Sequence, residues 1–200
     1  MLDLPPVPFV GLTGGMGSGK STALEALERL GALTLSTDAV VHQLYEQPDV
    51  AAQVIDRWGA DVTSDGNIDR AAVARIAFAD PEERSWLESL IWPLVGAEVI
   101  RFRDRAQSHE PRPRAAVVET PLLFEAGMEQ IYDATIAVIT DEELRRQRAE
   151  SRGHAAADER HARQLTQSEK AERATFVVIN DATTADLEAE LALILEQLSA

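Results

Sequence analysis

The sequence predicts an α/β fold built on a doubly wound, parallel sheet of five strands. Two observations support this prediction. Short apolar stretches rich in β-branched residues show little polar alternation, which is typical of strands covered on both faces. Stretches with helical spacing of apolar residues lie between them, and strands that alternate with helices form parallel sheets. No internal repeat or low-complexity tract favours another architecture.

The elements follow in order along the chain. The strand candidates are residues 8–12, 33–35, 115–118, 135–139 and 176–179. Leucines 24, 27 and 30 recur at helical spacing, which predicts a helix over 20–30 that Gly31 ends. Further helices are predicted within 39–105 (interrupted at Pro48, at 64–67, at 80–83 and at Pro93), 141–151, 155–173 and 184–198.

The chain is expected to form one domain, since a domain usually spans about 100–200 residues. Its core is predicted over about 1–38, 111–140 and 174–200. The region 39–110 is too long for one crossover helix and is interpreted as a helical insertion, and the arginine-rich region 141–173 as a second one.

The composition excludes several classes of function. The chain has no cysteine, which excludes a disulfide scaffold, a thiolate metal site and a cysteine nucleophile. Its net charge of −15 argues against a nucleic-acid-binding surface and against docking on anionic lipid. No apolar stretch approaches the ~20 residues of a membrane span, and the N-terminus lacks the pattern of a signal peptide. We therefore expect a cytoplasmic protein, monomeric or weakly oligomeric, with no nucleic-acid or membrane partner.

The most specific motif is a glycine-rich phosphate-binding loop. Residues 14–21 have the sequence GGMGSGKS, a full match to G-x-x-x-x-G-K-[ST] between a predicted strand and a predicted helix. Such a loop surrounds phosphate with backbone N–H groups, and the helix N-terminus adds partial positive charge. Lys20, one of two lysines in the chain, is predicted to contact the β- and γ-phosphates, and Ser21 to ligate Mg²⁺. The predicted ATP contacts here are Gly15, Met16, Gly17, Ser18, Gly19, Lys20, Ser21 and Thr22.

The loop alone does not distinguish kinases from other nucleotide-binding proteins. The sequence has no guanine-binding Asn-Lys-x-Asp motif, and no run of four apolar residues ends in paired acids as in motor ATPases. Small size, two insertions and a late arginine-rich segment favour a kinase of small metabolites. In such enzymes a mobile, arginine-rich lid neutralises charge and excludes water.

The loop and further segments of the chain form a specific combination: residues 10–21, Asp38, Asp65-Gly66, Arg70, Phe78, 81–83, 86–87, 93–95, 119–125, Arg148 and Arg152. In this combination the chain resembles the dephospho-coenzyme A kinase family over essentially its whole length. The resemblance implies a phosphate-loop kinase fold in which 39–110 binds the acceptor and 141–173 is the lid. It also implies ATP-dependent phosphorylation of the ribose 3′-hydroxyl of dephospho-CoA with Mg²⁺, the last step of coenzyme A synthesis.

Asp38 is the candidate general base. It follows the second predicted strand, at the carboxyl edge of the sheet where open α/β folds bind ligands. It resembles the catalytic aspartate of the family, which accepts the proton of the attacking hydroxyl. Aspartate is also a good helix N-cap, so a capping role remains open.

Other acidic and neutral residues are predicted to bind the metal or the acceptor. Glu119 ends the third strand and is predicted to hold Mg²⁺ together with Ser21. Leu122, Glu125 and His42 are predicted to contact the acceptor. For Glu125 the alternatives are a helix-terminal charge or an ion pair with an arginine.

Arg148 and Arg152 resemble the lid arginines that contact the ATP phosphates, and Arg152 is the candidate for charge neutralisation during transfer. They lie four residues apart, hence on one face of a helix. Arg145 and Arg146 stand beside them, and acids nearby offer partners, so a solvated basic face is the alternative.

The sequence departs from the family pattern mainly on the acceptor side. Ser36 replaces the first acid of an Asp-x-Asp motif, His42 an arginine, and Trp92 the histidine of a His-Pro pair. Two other interpretations therefore stay open. The first is a divergent phosphate-loop kinase with another nucleoside- or nucleotide-like acceptor, and the second an ATP-binding regulatory protein with little transfer activity.

Overall fold

A computed structural model describes residues 5–151 and 164–199 of the chain. The strands are β1 (Phe9–Gly14), β2 (Leu33–Ser36), β3 (Thr63–Ser64), β4 (Asn67–Ile68), β5 (Ala116–Glu119), β6 (Ala134–Ile139) and β7 (Phe176–Ile179). The described helices are α1 (Lys20–Arg29), α2 (Thr37–Glu46), α3 (Pro48–Trp58), α4 (Arg70–Ala79), α5 (Pro81–Ser108), α6 (Glu142–Ser151), α7 (Gln167–Arg173) and α8 (Thr184–Leu198). Short 3₁₀ helices cover Gly59–Val62 and Met128–Ile131.

The chain divides into two compact units. The sheet unit contains the residues up to Ser36 and from Phe102 onward, and the helical unit is Thr37–Arg101. The predicted division into an acceptor-binding insertion over 39–110 and a lid over 141–173 remains a prediction.

The sheet unit has the predicted α/β architecture. Its five strands are ordered β2-β5-β1-β6-β7, and every neighbouring pair is parallel. All the strands therefore end at one edge, where ligands of such folds bind. The doubly wound, five-stranded parallel sheet predicted from the sequence is confirmed.

Burial explains the lack of alternation in the central strands. Every residue of β1 and β5 is buried, so both faces of these strands need apolar side chains. One face packs against α1 and α8, in a cluster that includes Leu12, Leu27, Val138 and Leu191. The helix α8 starts with a capping box between Thr183 and Asp186, which fixes the end of the loop after β7.

The helical unit has a small core of its own. Val54, Val62, Ala72 and Val73 are buried in it, and the partly buried Trp58 and Trp86 pack against it. The two indole rings lie edge to face with centroids 5.0 Å apart. Trp58 and Trp86 thus help to form this core, whereas Trp92 is 55% exposed.

Three local predictions differ from the structure. The helix α5 continues through Pro93, where the sequence predicts an interruption. Ile91 and Val99 on either side of the proline are buried, and this burial favours a continuous helix although proline cannot donate a backbone hydrogen bond. It also continues to Ser108, beyond the predicted end. In the predicted helix 155–173, residues 164–166 are not helical and α7 begins only at Gln167, while 152–163 lie outside the described residues. Within residues 5–151 and 164–199, no helix combines the length and apolar character that crossing a membrane requires.

Candidate active site

The phosphate-binding loop lies at the carboxyl edge of the sheet. It follows β1, the central strand, and leads into α1, whose first residue is Lys20. The loop thus connects a fully buried strand to a helix N-terminus, the arrangement in which backbone N–H groups and the helix dipole bind phosphate. The strand–loop–helix context predicted for the motif is present.

Two glycines of the loop are required by close neighbours. Gly17 has φ = 80°, and a Cβ there would collide with the backbone oxygen of Arg145. Gly19 has φ = 94°, and a Cβ there would collide with the side-chain nitrogen of Asn180. Any other residue would be strained in conformation and would displace these neighbours.

Four side chains at the end of the loop are candidate phosphate or metal ligands, and their roles stay predictions. The Lys20 ammonium donates to the backbone oxygen of Gly15 at 3.0 Å and so curls back over the loop. Ser21 is exposed and Thr22 half-buried on the first turn of α1. The Ser18 hydroxyl is buried and has no hydrogen-bond partner in the described part of the chain.

Arg145 is a neighbour of the loop that sequence reasoning missed. Its guanidinium donates to the backbone oxygen of Met16 at 3.0 Å, and its side chain is only 17% exposed. It also pairs with Glu142. Arg146, by contrast, is 62% exposed and pairs with Glu143. The predicted basic face is therefore divided: one arginine contacts the phosphate loop, and the next is solvated.

Arg148 lies beside a cavity next to the loop. The cavity has a volume of about 350 Å³ and is lined by Gly19, Thr22, Arg148, Asn180, Ala182, Thr183 and Thr184. The Arg148 guanidinium donates to the backbone oxygen of Asn180 at 3.0 Å. Asn180 in turn donates from its side chain to the backbone oxygen of Ser18 at 2.8 Å. The loop after β7 is thereby joined to the phosphate loop.

Asp181 fixes the other side of this junction. Its carboxylate accepts bonds from the backbone N–H of Asp141 at 2.6 Å and from the Thr140 hydroxyl at 2.7 Å. These two bonds, with the nearby charge of Arg148, lower the pKa of Asp181. The carboxylate thus joins the start of α6 to the loop after β7.

Glu119 is buried at the end of β5. In the register of the sheet it lies opposite Leu12 on one side and Ser36 on the other. Its side chain therefore belongs to the same edge as the phosphate loop. Ser36, the first departure from the family's Asp-x-Asp motif, is its direct neighbour across the strands.

The segment 121–125 contains the two remaining acceptor candidates of the sheet unit. Leu122 is half-buried. Glu125 forms an ion pair with Lys170 at 2.9 Å, and its carboxylate also accepts from the backbone N–H of Leu165 at 2.8 Å. The alternative of an ion pair was correct in kind, but the cation is a lysine rather than an arginine. The acceptor roles of Leu122 and Glu125 stay predictions.

The other candidates lie outside the sheet unit or outside the described residues. Asp38 is exposed in the first turn of α2 in the helical unit, and His42 is exposed one turn further along. Arg152 lies outside the described residues. Their assigned roles remain predictions.

Comparison with known proteins identifies the family. The family model described as dephospho-CoA kinase matches residues 8–186, which is most of the chain. The chain belongs to the dephospho-CoA kinase family. It is accordingly a kinase that uses ATP and transfers phosphate to a hydroxyl group of a small molecule, as the sequence predicted.

Relatives within the family align over nearly the whole chain. The dephospho-CoA kinase of Synechococcus sp. is 37% identical over 195 residues, 94% of this chain and 96% of the relative. That of Deinococcus radiodurans is 36% identical over 192 residues, 94% of this chain and 91% of the relative. A crystal structure of a Thermus thermophilus protein is 32% identical, with a TM-score of 0.81 over 98% of this chain and 100% of that chain.

A more distant structure supports the fold alone. The dephospho-CoA kinase of Campylobacter jejuni is 24% identical, with a TM-score of 0.64 over 96% of this chain and 97% of that chain. Its likeness agrees with the phosphate-loop kinase architecture of the sheet unit.

Proposed function

We propose that this chain transfers the γ-phosphoryl group of ATP to the ribose 3′-hydroxyl of dephospho-CoA, giving coenzyme A and ADP in the last step of coenzyme A synthesis. The observation that carries the proposal is the match to the dephospho-CoA kinase family over residues 8–186, with the phosphate loop intact. The acceptor is a small molecule, and the reaction takes place in the cytoplasm.

The nucleotide binds along the phosphate loop. Backbone N–H groups of residues 15–19 and the start of α1 contact the β- and γ-phosphates, and Lys20 contacts the transferred group. The base and ribose extend into the 350 Å³ cavity between Thr22, Arg148 and the loop after β7. Arg152 joins Arg148 on the phosphates and neutralises charge that develops during transfer.

Mg²⁺ is part of this proposal. The described residues contain no group of three or more His, Cys, Asp or Glu side chains that could hold a metal ion by themselves. This fits Mg²⁺, which keeps several waters and binds through one or two protein oxygens together with substrate phosphates. The Ser21 hydroxyl and the Glu119 carboxylate would hold it, and the ion when bound would neutralise phosphate charge.

Asp38 prepares the acceptor for attack. Its carboxylate accepts the proton of the ribose 3′-hydroxyl while that oxygen forms a bond to the γ-phosphorus. The bond between the γ-phosphorus and the β,γ-bridging oxygen breaks, and ADP leaves with that oxygen. Leu122, Glu125 and His42 belong to the acceptor side of the site.

The acceptor is tested by ADP release at saturating ATP with dephospho-CoA, adenosine, AMP or phosphopantetheine. We expect dephospho-CoA to stimulate release most, and mass spectrometry to find the new phosphate on the 3′-oxygen. Lys20→Ala serves as the control for contaminating kinases.

Two results would contradict the proposal. Stimulation by another acceptor, with dephospho-CoA at the background rate, favours the divergent kinase that Ser36, His42 and Trp92 leave open. ATP binding without stimulation by any acceptor favours the regulatory protein.

A further inference from the structure

Lys170 is a buried cation that the phosphate-transfer motif does not include. It lies in α7, and its side chain is 0% exposed. It is one of two lysines in a chain whose other cationic side chains are arginine and histidine. Lysine is rarely buried so completely unless its charge is paired and hydrogen-bonded.

Each N–H of the Lys170 ammonium has an acceptor. It donates to the backbone oxygen of Pro121 at 2.7 Å, to the Glu125 carboxylate at 2.9 Å and, more weakly, to the Thr13 hydroxyl at 3.5 Å. The Thr13 hydroxyl itself donates to Pro121 at 3.3 Å. Three segments that are distant in sequence thus meet at one nitrogen.

These partners are next to the reaction machinery. Thr13 precedes Gly14, the first residue of the phosphate motif, and Pro121 follows the metal candidate Glu119 by two residues. Thr120 is tied to β1 as well, because its N–H donates to the backbone oxygen of Leu12 at 2.9 Å. Lys170 therefore joins the ends of the central strands β1 and β5 where the site begins.

Two other side chains of α7 extend this connection. Gln167 exchanges hydrogen bonds of 2.9 Å with the backbone N–H and oxygen of Thr140, just before α6. Arg173 donates to the backbone oxygen of Phe124 at 3.5 Å. Residues 167, 170 and 173 recur every three positions, so one side of α7 faces these contacts.

Stability alone is a poor reason for this arrangement. Burial lowers the pKa of Lys170, and the charge of Glu125 only partly offsets it. The second carboxylate oxygen of Glu125 is buried without a hydrogen-bond partner among the described residues. A well-packed apolar pair often stabilises a fold as well as a buried ion pair does. An apolar pair has no N–H group, however, and therefore cannot orient a backbone oxygen.

We propose that Lys170, paired with Glu125, is a positioning residue for phosphate transfer: it holds the segment 121–125 in register with the end of β1. The proposal rests on the proposed function. Removing the ammonium shifts the segment that carries Leu122 and Glu125 while the phosphate loop keeps its own backbone contacts. Turnover then falls, and ATP affinity does not.

The test compares Lys170→Met, Glu125→Gln, the double variant and Lys170→Arg. For each, kcat, both KM values, ATP affinity and the urea midpoint are measured. We expect Lys170→Met to lower kcat about tenfold to a hundredfold, the cost of a small misplacement of reacting groups, with ATP affinity within about twofold. Lys170→Arg recovers part of kcat, since it keeps a donor for Pro121. Glu172→Gln, an exposed change on the same helix, is the control.

The double variant separates positioning from stability. Lys170→Met alone leaves a buried carboxylate without its cation, so the double variant recovers the urea midpoint. If Lys170 positions the segment, kcat of the double variant stays below that of Glu125→Gln alone, because Pro121 still lacks its donor. Recovery of kcat together with the midpoint, or an unchanged kcat in folded Lys170→Met, would overturn the proposal.

Two provisions keep the test decisive. If Lys170→Met does not fold, Thr13→Val removes one bond to Pro121 at nearly constant volume and is expected to lower kcat by a smaller factor; an unchanged kcat counts against positioning. If wild type does not phosphorylate dephospho-CoA, the proposed function has failed. The same comparison is then made with the acceptor that stimulates ADP release, or on basal ATP hydrolysis.

Discussion

The phosphate loop and the segment 121–125 lie at the same edge of the sheet but are held in different ways. The loop is one contiguous stretch in which Lys20 bonds to the Gly15 oxygen, and the side chains of Arg145 and Asn180 add bonds from outside it. The segment 121–125 depends on Lys170, a side chain 45 residues beyond Glu125. The sequence motif therefore identifies the loop by itself. The support of the segment 121–125, in contrast, depends on a residue that is distant in sequence and becomes a neighbour only in the fold.

The largest expected effect tests the loop. Lys20→Ala should lower kcat by about 10²–10³-fold or more, because the proposed contact between its ammonium and the transferred group is lost. The urea midpoint should change little, since Lys20 is only half-buried. Steady-state kinetics with dephospho-CoA measures the effect, and turnover near the wild-type rate would remove the loop from the reaction.

Asp38→Asn tests the acceptor side. The amide keeps the size of the carboxylate but accepts no proton, so kcat should fall by about 10²–10⁴-fold. ATP affinity should be unchanged. An equal loss of ATP affinity would instead assign Asp38 to the metal, and unchanged kinetics would leave it only an acidic residue in the first turn of α2, which begins at Thr37.

A matched pair of arginines tests how far the loop depends on side chains outside it. Arg145→Ala removes the bond to Met16 and should raise the KM for ATP about threefold to tenfold, within the range for an ordinary hydrogen bond. Arg146→Ala, one residue away and exposed, should leave it unchanged. Equal effects in the two variants would mean that this part of α6 is only a solvated basic face.

The smallest expected effect concerns Asp181, whose carboxylate joins the start of α6 to the loop after β7. The folded-state pKa of Asp181 lies below its ordinary value of 3.8, so its charge stabilises the fold above that pH. This contribution is lost as the pH falls through the lowered pKa. Asp181→Asn should therefore be less stable than wild type at pH 7, by under about 1 kcal/mol for so exposed a group, and the difference should vanish in acid. Urea unfolding across pH 2–7 measures it; a difference that persists at the acid end would exclude charge as its cause.

The pattern of apolar residues and the phosphate-loop motif predicted the fold, because the central strands and α1 are determined by residues near to one another in the sequence. The nearly continuous apolar residues of β5 and β6 require cover on both faces, and the loop motif is typical of a turn between a strand and a helix. The break expected at Pro93 was wrong because side-chain burial along α5 outweighs a local preference.

The neighbours of the loop and of the segment 121–125 could not be predicted in this way. Four arginines lie within 145–152, and only packing against Met16 distinguishes Arg145 from Arg146. The pairing of Glu125 with Lys170 joins residues that no spacing rule connects. The rarity of lysine is the one signal in the sequence that marks Lys170, and it marks Lys20 equally.

That rarity also makes the chain a natural subject for chemical labelling. Its two side-chain amines differ in solvent exposure: Lys20 is half-buried at the loop, and Lys170 is fully buried. An amine-directed acylating reagent should therefore label Lys20 in the native protein and Lys170 only once the structure opens. Acylation of the first amine reports whether a nucleotide shields the loop, and acylation of the second reports unfolding. Both signals come from the unmodified natural sequence.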